Sequence, residues 1–243
     1  GRLLRRGLGV ARRGQCAAPA AAAQRAEVLL FDLDGTLYNS GCGYNLHIRS
    51  NAITFLTQRL GIPEEQAGAV RDEAFGLANQ TRRGLKMMGY EFDDDEFFAH
   101  MRSGADMFLR PDPGVTAAMQ ALTAGGIPCW VFTNTQEVHA VTCLKLLGLH
   151  ELFEGRVIGS DFMGAGCCKP EHEAFLKVCE MVGAAPEASV MFEDSFKNAR
   201  AAKELGMTSI FVKGEEMKEE GATDADLART CDGVVSACTE GQL

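Results

Sequence analysis

The chain has 243 residues, 46% hydrophobic and 23% charged, which suits a soluble globular protein of one large domain or a core carrying a smaller insert. Its formal net charge of −9 argues against a nucleic-acid backbone or an anionic membrane surface as partner. No apolar run approaches the roughly 18 residues of a membrane span.

The first 26 residues carry six arginines, an alanine run from Ala17 to Ala23 broken only by Pro19, and no acid. That composition is equally that of an organellar transit segment and of a disordered extension, and it stands outside the fold. Glu27 to Leu33 is a short apolar run ending in Asp-Gly-Thr, a buried strand stopping at a turn. The stretch from Tyr44 to Arg110 holds helical patterns at Arg49 to Leu60, Glu64 to Ala78 and Asp94 to Arg102, with no convincing strand. It reads as an all-helical cap over 44–110, inserted into a core made of 27–43 and 111–243.

Beyond it, strands are expected at Ile127 to Phe132, Val190 to Phe192 and Thr208 to Val212, with a short extra one at Val157-Ile158. The helices between them are Pro113 to Ala124, Val138 to Leu147, Glu171 to Val182 and Asn198 to Leu205. They close at Gly125-Gly126, Gly148, Gly183 and Gly206, where a helix end favours a left-handed residue. Alternation of this kind predicts an α/β fold, a Rossmann-like doubly wound parallel sheet covered on both faces.

Nine cysteines are scattered without a CxxC pair or zinc spacing, which fits a reducing, intracellular compartment, cytoplasmic or organellar. Cys129, Cys143 and Cys179 sit in apolar stretches as small hydrophobes. Cys167 and Cys168, adjacent in a glycine-rich loop, could act as a redox-sensitive pair.

Ligands of parallel sheets bind beyond the carboxyl ends of the strands, and there the polar residues gather. Asp32 and Asp34 follow the first strand, Thr133 and Asn134 the second, Glu193 and Asp194 the third, and Lys169 precedes a helix. Carboxylates converging at one edge raise each other's pKa values, a conflict that a hard divalent cation such as Mg2+ removes. The cation and Lys169 together would trap a phosphate, with the Thr133 hydroxyl and the amides of the Asp-Gly-Thr turn as donors and Gly35 allowing close approach. Such a site suits phosphoryl transfer to a carboxylate. Asp32 would attack phosphorus to form an aspartyl-phosphate, and Asp34 would protonate the leaving alcohol and then activate water.

FDLDGTLY at 31–38, FTNT at 132–135, Lys169 in CKP and FEDS at 192–195 resemble, in order and spacing, the four motifs of the haloacid dehalogenase superfamily, over about 27–214. The resemblance implies a helical cap and a magnesium site formed by the Asp32 carboxylate, the Asp34 backbone carbonyl and Asp194. Glu193 would lie at its edge and Asn198 behind it. Asp34 implies a phosphatase or phosphomutase rather than a dehalogenase. The stretches TRRGLKMMGYEFDDDEF, FTNTQEVHA, LGLHELFEG and FEDSFKNARAAKELG are similar to the pyrimidine 5'-nucleotidase-like branch. That implies a nucleoside 5'-monophosphate as substrate of a monomer or homodimer.

Within the cap, Arg82 and Arg83 are candidates for substrate contact, as is His139 beyond it; each is also a residue of an ordinary helix surface. A sugar-phosphate or phosphoglycolate phosphatase and a phosphomutase share the core motifs. A phospho-accepting receiver-like domain shares the acidic sheet edge. Asp34 and the helical insertion oppose that last reading.

Overall fold

The computed structural model describes residues 26–164, 166–214 and 221–236; the arginine-rich N-terminal segment lies outside the described residues up to residue 25. In chain order the elements are β1 (Val28–Phe31), α1 (Tyr44–Leu60), α2 (Glu64–Ala78), α3 (Thr81–Met87), α4 (Asp94–Met101), α5 (Ala105–Phe108) and α6 (Pro113–Ala124). There follow β2 (Cys129–Phe132), α7 (Glu137–Leu146), β3 (Val157–Ile158), α8 (Ser160–Met163), α9 (His172–Val182), β4 (Ser189–Glu193), α10 (Phe196–Glu204), β5 (Thr208–Lys213), α11 (Asp224–Thr230) and β6 (Gly233–Ser236).

The strands pair in the order β3-β2-β1-β4-β5-β6, and every pair is parallel. This is the doubly wound arrangement, in which the chain winds one way from β1 to β3 and the other way from β4 to β6. Side chains alternate across a strand, so a strand covered on both faces must be apolar at every position. All four residues of β1 are buried: Leu29 and Phe31 join one core with Val131 and Phe192, while Val28 and Leu30 join the other with Phe132 and Met191. Val115 and Met119 of α6 and Cys143 and Leu144 of α7 cover the first face. Phe175 and Val178 of α9 and Ala201 and Ala202 of α10 cover the second. Phe31 and Phe192, paired in register, stack at 4.5 Å.

The helices stop where glycine accepts a left-handed backbone, with Gly126, Gly148, Gly183 and Gly206 all at positive φ. The short helices α3, α5 and α8 were not foreseen, nor were two elements near the end of the described chain. The helix α11 opens with a capping box between Thr223 and Asp226, and β6 is a four-residue strand at the sheet edge. The second predicted strand begins two residues later than expected, at Cys129. Helix α1 begins five residues earlier than expected, directly after Gly43.

Between β1 and α6 the helices α1 to α4 enclose a separate apolar cluster, including Phe55, Leu56, Leu85, Phe97 and Phe98. Helices α2 and α3 approach closely because Gly84 has no side chain. A Cβ there would lie 1.8 Å from the Ala74 carbonyl oxygen, which is backbone and cannot yield. Alanine gains about 1 kcal/mol of helix propensity over glycine, but overpacking costs about 1–3 kcal/mol. Gly84→Ala should therefore destabilise the chain by up to about 2 kcal/mol net. Gly76→Ala on exposed α2, with nothing within 4 Å of its Cβ, should stabilise it slightly. Urea titration of both variants tests this; a gain at Gly84 would contradict the packing.

Candidate active site

The three central strands deliver their polar ends to one place. The Asp32 amide continues the β1 ladder by donating to the Phe192 carbonyl at 2.9 Å, so its side chain leaves the sheet beside Glu193 and Asp194. Carboxylate oxygens of Asp32, Glu193 and Asp194 lie within 4.8 Å of one another. The Lys169 ammonium, 1% exposed, donates to Asp32 Oδ1 at 2.7 Å, Glu193 Oε1 at 2.6 Å and the Phe132 carbonyl at 2.9 Å. All three protons of the amine are thus used.

The loop bearing Lys169 is held by Asn134, whose amide group donates to the Lys169 carbonyl and accepts from the Lys169 amide, both at 3.0 Å. Asn79 of the helical insertion donates to the same carbonyl at 3.2 Å. Glu193 also accepts from Asn198 Nδ2 at 2.6 Å and from the Ser195 amide at 2.8 Å. Gly35 has φ +88°, and a Cβ there would come within 1.9 Å of Asp194 Oδ2. The turn after β1 can lie against Asp194 only because residue 35 lacks a side chain.

Charge is unevenly served. Lys169 supplies one positive charge to three carboxylates, those of Asp32 and Glu193 buried and that of Asp194 half-buried. Burial lifts the Asp32 carboxyl to about 7, with Glu193 and Asp34 adding to the rise and Lys169 opposing it. Asp194 is pushed well above the ordinary carboxyl value, by burial first and then by Glu193 and Asp32. Burial would depress Lys169, but the charges of Asp32 and Glu193 hold it above the ordinary lysine value. A buried, all-oxygen cluster short of positive charge matches what a hard divalent cation requires, and Asp32, Glu193 and Asp194 fit such an ion.

Asp34 behaves differently. Burial works to raise its pKa, yet Arg102 and Tyr38 outweigh it and the net shift is downward. Arg102 Nη1 donates to Asp34 Oδ1 at 2.7 Å and Nη2 to Oδ2, a two-pronged pair, and the Tyr38 hydroxyl lies 2.5 Å from Asp34 Oδ1. The chemistry expected from the sequence needs Asp32 ionised beside a bound metal and Asp34 able to carry a proton. The protein groups alone set opposite directions, because Asp32 faces acids that raise it and Asp34 faces a guanidinium that lowers it.

These groups border a cavity of about 270 Å³ between the sheet edge and the helical insertion. Asp32, Asp34, Thr133, Asn134, Lys169, Asp194 and Asn198 form its floor; Asn45, Arg71, Phe75, Gln80, Arg82, Phe98 and Arg102 are among its walls. Thr133, 1% exposed, accepts from the Thr135 amide at 3.2 Å. Arg82 reaches the wall, paired with Asp94 at 2.5 Å and Gln80 at 3.1 Å. Arg83 and His139 do not line the cavity. One position further along α3, Arg83 turns about 100° away and pairs with Glu171 and, at 3.6 Å, the Cys168 sulfur. His139 instead packs near the Phe98 ring at 6.3 Å.

Cys167 and Cys168 are both free thiols and buried, as are Cys129, Cys143 and Cys179. Arg102, Gln80 and Tyr38 escaped the sequence reading. Arg102 carried a signal, since it stands four residues after Phe98 and so continues the buried stripe of α4. Gln80, which donates to the Asn134 carbonyl at 2.5 Å, follows the left-handed Asn79 and carried none. No helix among the described residues is long and apolar enough to cross a membrane.

A carboxyl with a raised folded-state pKa contributes stability that is fully present below its unfolded value, about 3.9, and lost as pH rises through about 7. Asp34, shifted the other way, loses its contribution only below that range. The metal-stripped chain should therefore melt at falling temperatures between about pH 4 and 7, and Asp32→Asn should flatten the trend. Calorimetric melts of both proteins across that range provide the check; parallel slopes would exclude Asp32 as the source.

Among curated proteins, the chain is 25% identical over 210 residues to phosphate metabolism protein 8 of Saccharomyces cerevisiae, covering 80% of this chain and 64% of the yeast protein, under two thirds of its length. It is 27% identical over 193 residues to the phosphorylated carbohydrates phosphatase of Thermotoga maritima, covering 76% and 84% of the two chains. It is 29% identical over 194 residues to the phosphoglycolate phosphatase of Agrobacterium fabrum, covering 75% and 78%. Among solved structures, a HAD hydrolase of family IA, variant 3, from Entamoeba histolytica superposes with a TM-score of 0.60 at 20% identity, covering 86% of this chain and 92% of that one. Residues 26–206, which carry every residue on the cavity floor, match the haloacid dehalogenase-like hydrolase family, and the chain belongs to it.

Proposed function

We propose that the chain is a magnesium-dependent phosphomonoester hydrolase that forms an aspartyl-phosphate on Asp32 and acts on a small phosphorylated metabolite. The observation that carries this is the Lys169 amine 2.7 Å from Asp32 within the three-carboxylate cluster, with Asp34 on the same cavity floor. In this reading 44–110 form a cap over a core of 27–43 and 111–243.

Asp32, Asp194 and the Asp34 carbonyl would hold Mg2+, with Glu193 at its edge, and the ion would supply charge neutralisation for phosphate oxygens. Lys169 would neutralise the non-bridging oxygens and hold Asp32 in place. Thr133, Asn134 and the turn at Gly35 would bind the remaining phosphate oxygens. An Asp32 oxygen forms the new bond to phosphorus as the ester P–O bond breaks, and Asp34 gives its proton to the leaving oxygen. Asp34 then takes a proton from water, which attacks phosphorus and breaks the Asp32–phosphorus bond. For the first of these steps Asp34 must part from Arg102.

Glycolate and sugar esters fit the relatives' names and the polar walls at Asn45, Gln80 and Arg102. A nucleoside monophosphate is a second reading, favoured by Phe75, a half-buried ring on the wall with Arg71 over its face at 4.8 Å. Such a surface suits a base. Arg83 and His139 lend no support to that reading, being off the cavity. Release of free phosphate rather than an isomeric sugar phosphate separates a phosphatase from a mutase.

Asp32→Asn should lower phosphate release by about 10³-fold or more, with the fold retained. Chelation with EDTA should abolish activity and added Mg2+ restore it. A panel of phosphoglycolate, sugar phosphates and nucleoside monophosphates, read as inorganic phosphate, measures both effects. Undiminished turnover by Asp32→Asn would remove the assigned nucleophile.

A further inference from the structure

We propose that Arg102 recognises an anionic group on the leaving half of the substrate, a carboxylate close to the scissile ester oxygen. The chain would then select phosphorylated hydroxy acids over esters of neutral alcohols. This rests on the phosphomonoesterase reading and narrows its substrate class.

Among the described residues four cations line the cavity, and three are committed to partners that take no part in the proposed chemistry or to the carboxylate cluster. Arg71 is paired with Asp72, Arg82 with Asp94 and Gln80, and Lys169 with Asp32 and Glu193. Arg102 alone among the four is paired with the proposed acid, Asp34, and its side chain is only 7% exposed. A guanidinium has five N–H donors. Two of Arg102's meet the Asp34 oxygens, while its buried Nε has no hydrogen-bond partner.

The position is also defined. The Tyr44 hydroxyl donates to the Arg102 carbonyl at 2.9 Å, which anchors the end of α4 above the sheet edge. An ester oxygen close enough to Asp34 to receive its proton has its neighbouring atoms beside the guanidinium. In the ligand-free chain the fork holds a carboxylate already, that of Asp34. A substrate carboxylate is the same chemical group and can take that place in the two-pronged geometry that suits arginine. The exchange keeps the buried cation paired and frees the Asp34 side chain to turn to the ester oxygen. A neutral alcohol offers no replacement, so freeing Asp34 would leave a buried charge uncompensated.

The test uses the full chain with saturating Mg2+ and two esters of similar size, 2-phosphoglycolate and ethyl phosphate. The expected result is a preference for 2-phosphoglycolate. In Arg102→Ala the ratio of the two kcat/KM values should fall by about 30-fold, mostly through the KM for 2-phosphoglycolate. Arg102→Lys, which keeps the charge and loses the fork, should recover part of the ratio, and Arg102→Gln serves where alanine does not fold. A proportional loss on both esters, leaving the ratio unchanged, would make Arg102 a tie between cap and core and overturn the inference. So would a native chain that does not distinguish the two esters. Failure of the native chain to release phosphate from any ester would instead overturn the phosphatase reading itself.

Discussion

The site depends on one buried ammonium. Lys169 sits where three strand ends converge, and without it Asp32 and Glu193 would face each other in a place where water cannot separate them. Removing one partner of a buried ion pair costs about 3–5 kcal/mol, far more than an exposed pair contributes. The chain therefore builds much around this amine. Asn134 and Asn79 fix its backbone, the Phe132 carbonyl takes its third proton, Asn198 shares Glu193 Oε1 with it, and the Ser195 amide satisfies Glu193 Oε2. One ammonium still does not balance three carboxylates. The deficit leaves Asp32 and Asp194 with raised pKa values and makes the cluster a place for a cation.

Topology explains why the acids meet at all. In a parallel sheet every strand ends on the same edge, so a residue placed just past β1, β2 or β4 shares a neighbourhood with its counterparts regardless of distance in sequence. Gly35 shows how tightly these ends are fitted, since a single Cβ there would collide with Asp194 from a strand about 160 positions away. The glycine of the Asp-Gly-Thr turn is thus required by the far end of the chain as well as by its own turn.

The core was legible because strand-end chemistry repeats in sequence: an apolar run, then polar residues, three times over. Asp32, Asp34 and Asp194 could be picked out by that rhythm, and Lys169 by its place in the order and spacing of the four motifs. The walls of the cavity follow no such rule. Arg82 and Arg83 are neighbours in sequence, yet a helical turn of about 100° per residue sends one to the cavity and the other to Glu171. Arg102 looks like the solvated end of a helix until α4 is seen to bury Phe97, Phe98 and Met101 on the side that faces the sheet edge. Edge strand β6 was missed for a simpler reason, since Gly233–Ser236 opens on a glycine and closes on a serine, leaving Val234 and Val235 as its whole apolar signal.

Asp34 and Arg102 join the two parts of the molecule most directly. The first belongs to the turn after β1 and the second to the end of α4, and each is buried in a form that needs the other. Such a contact holds the helical insertion against the sheet edge, yet it also occupies the carboxylate that the proposed chemistry would use. On the proposed reading, substrate binding would exchange one ion pair for another. Affinity then comes only from the difference between the two pairs, whereas selectivity against a ligand with no charge to offer is large. A small cavity with few contacts would gain much of its discrimination from that exchange. The arrangement is consistent with a substrate that has little bulk beyond its charges.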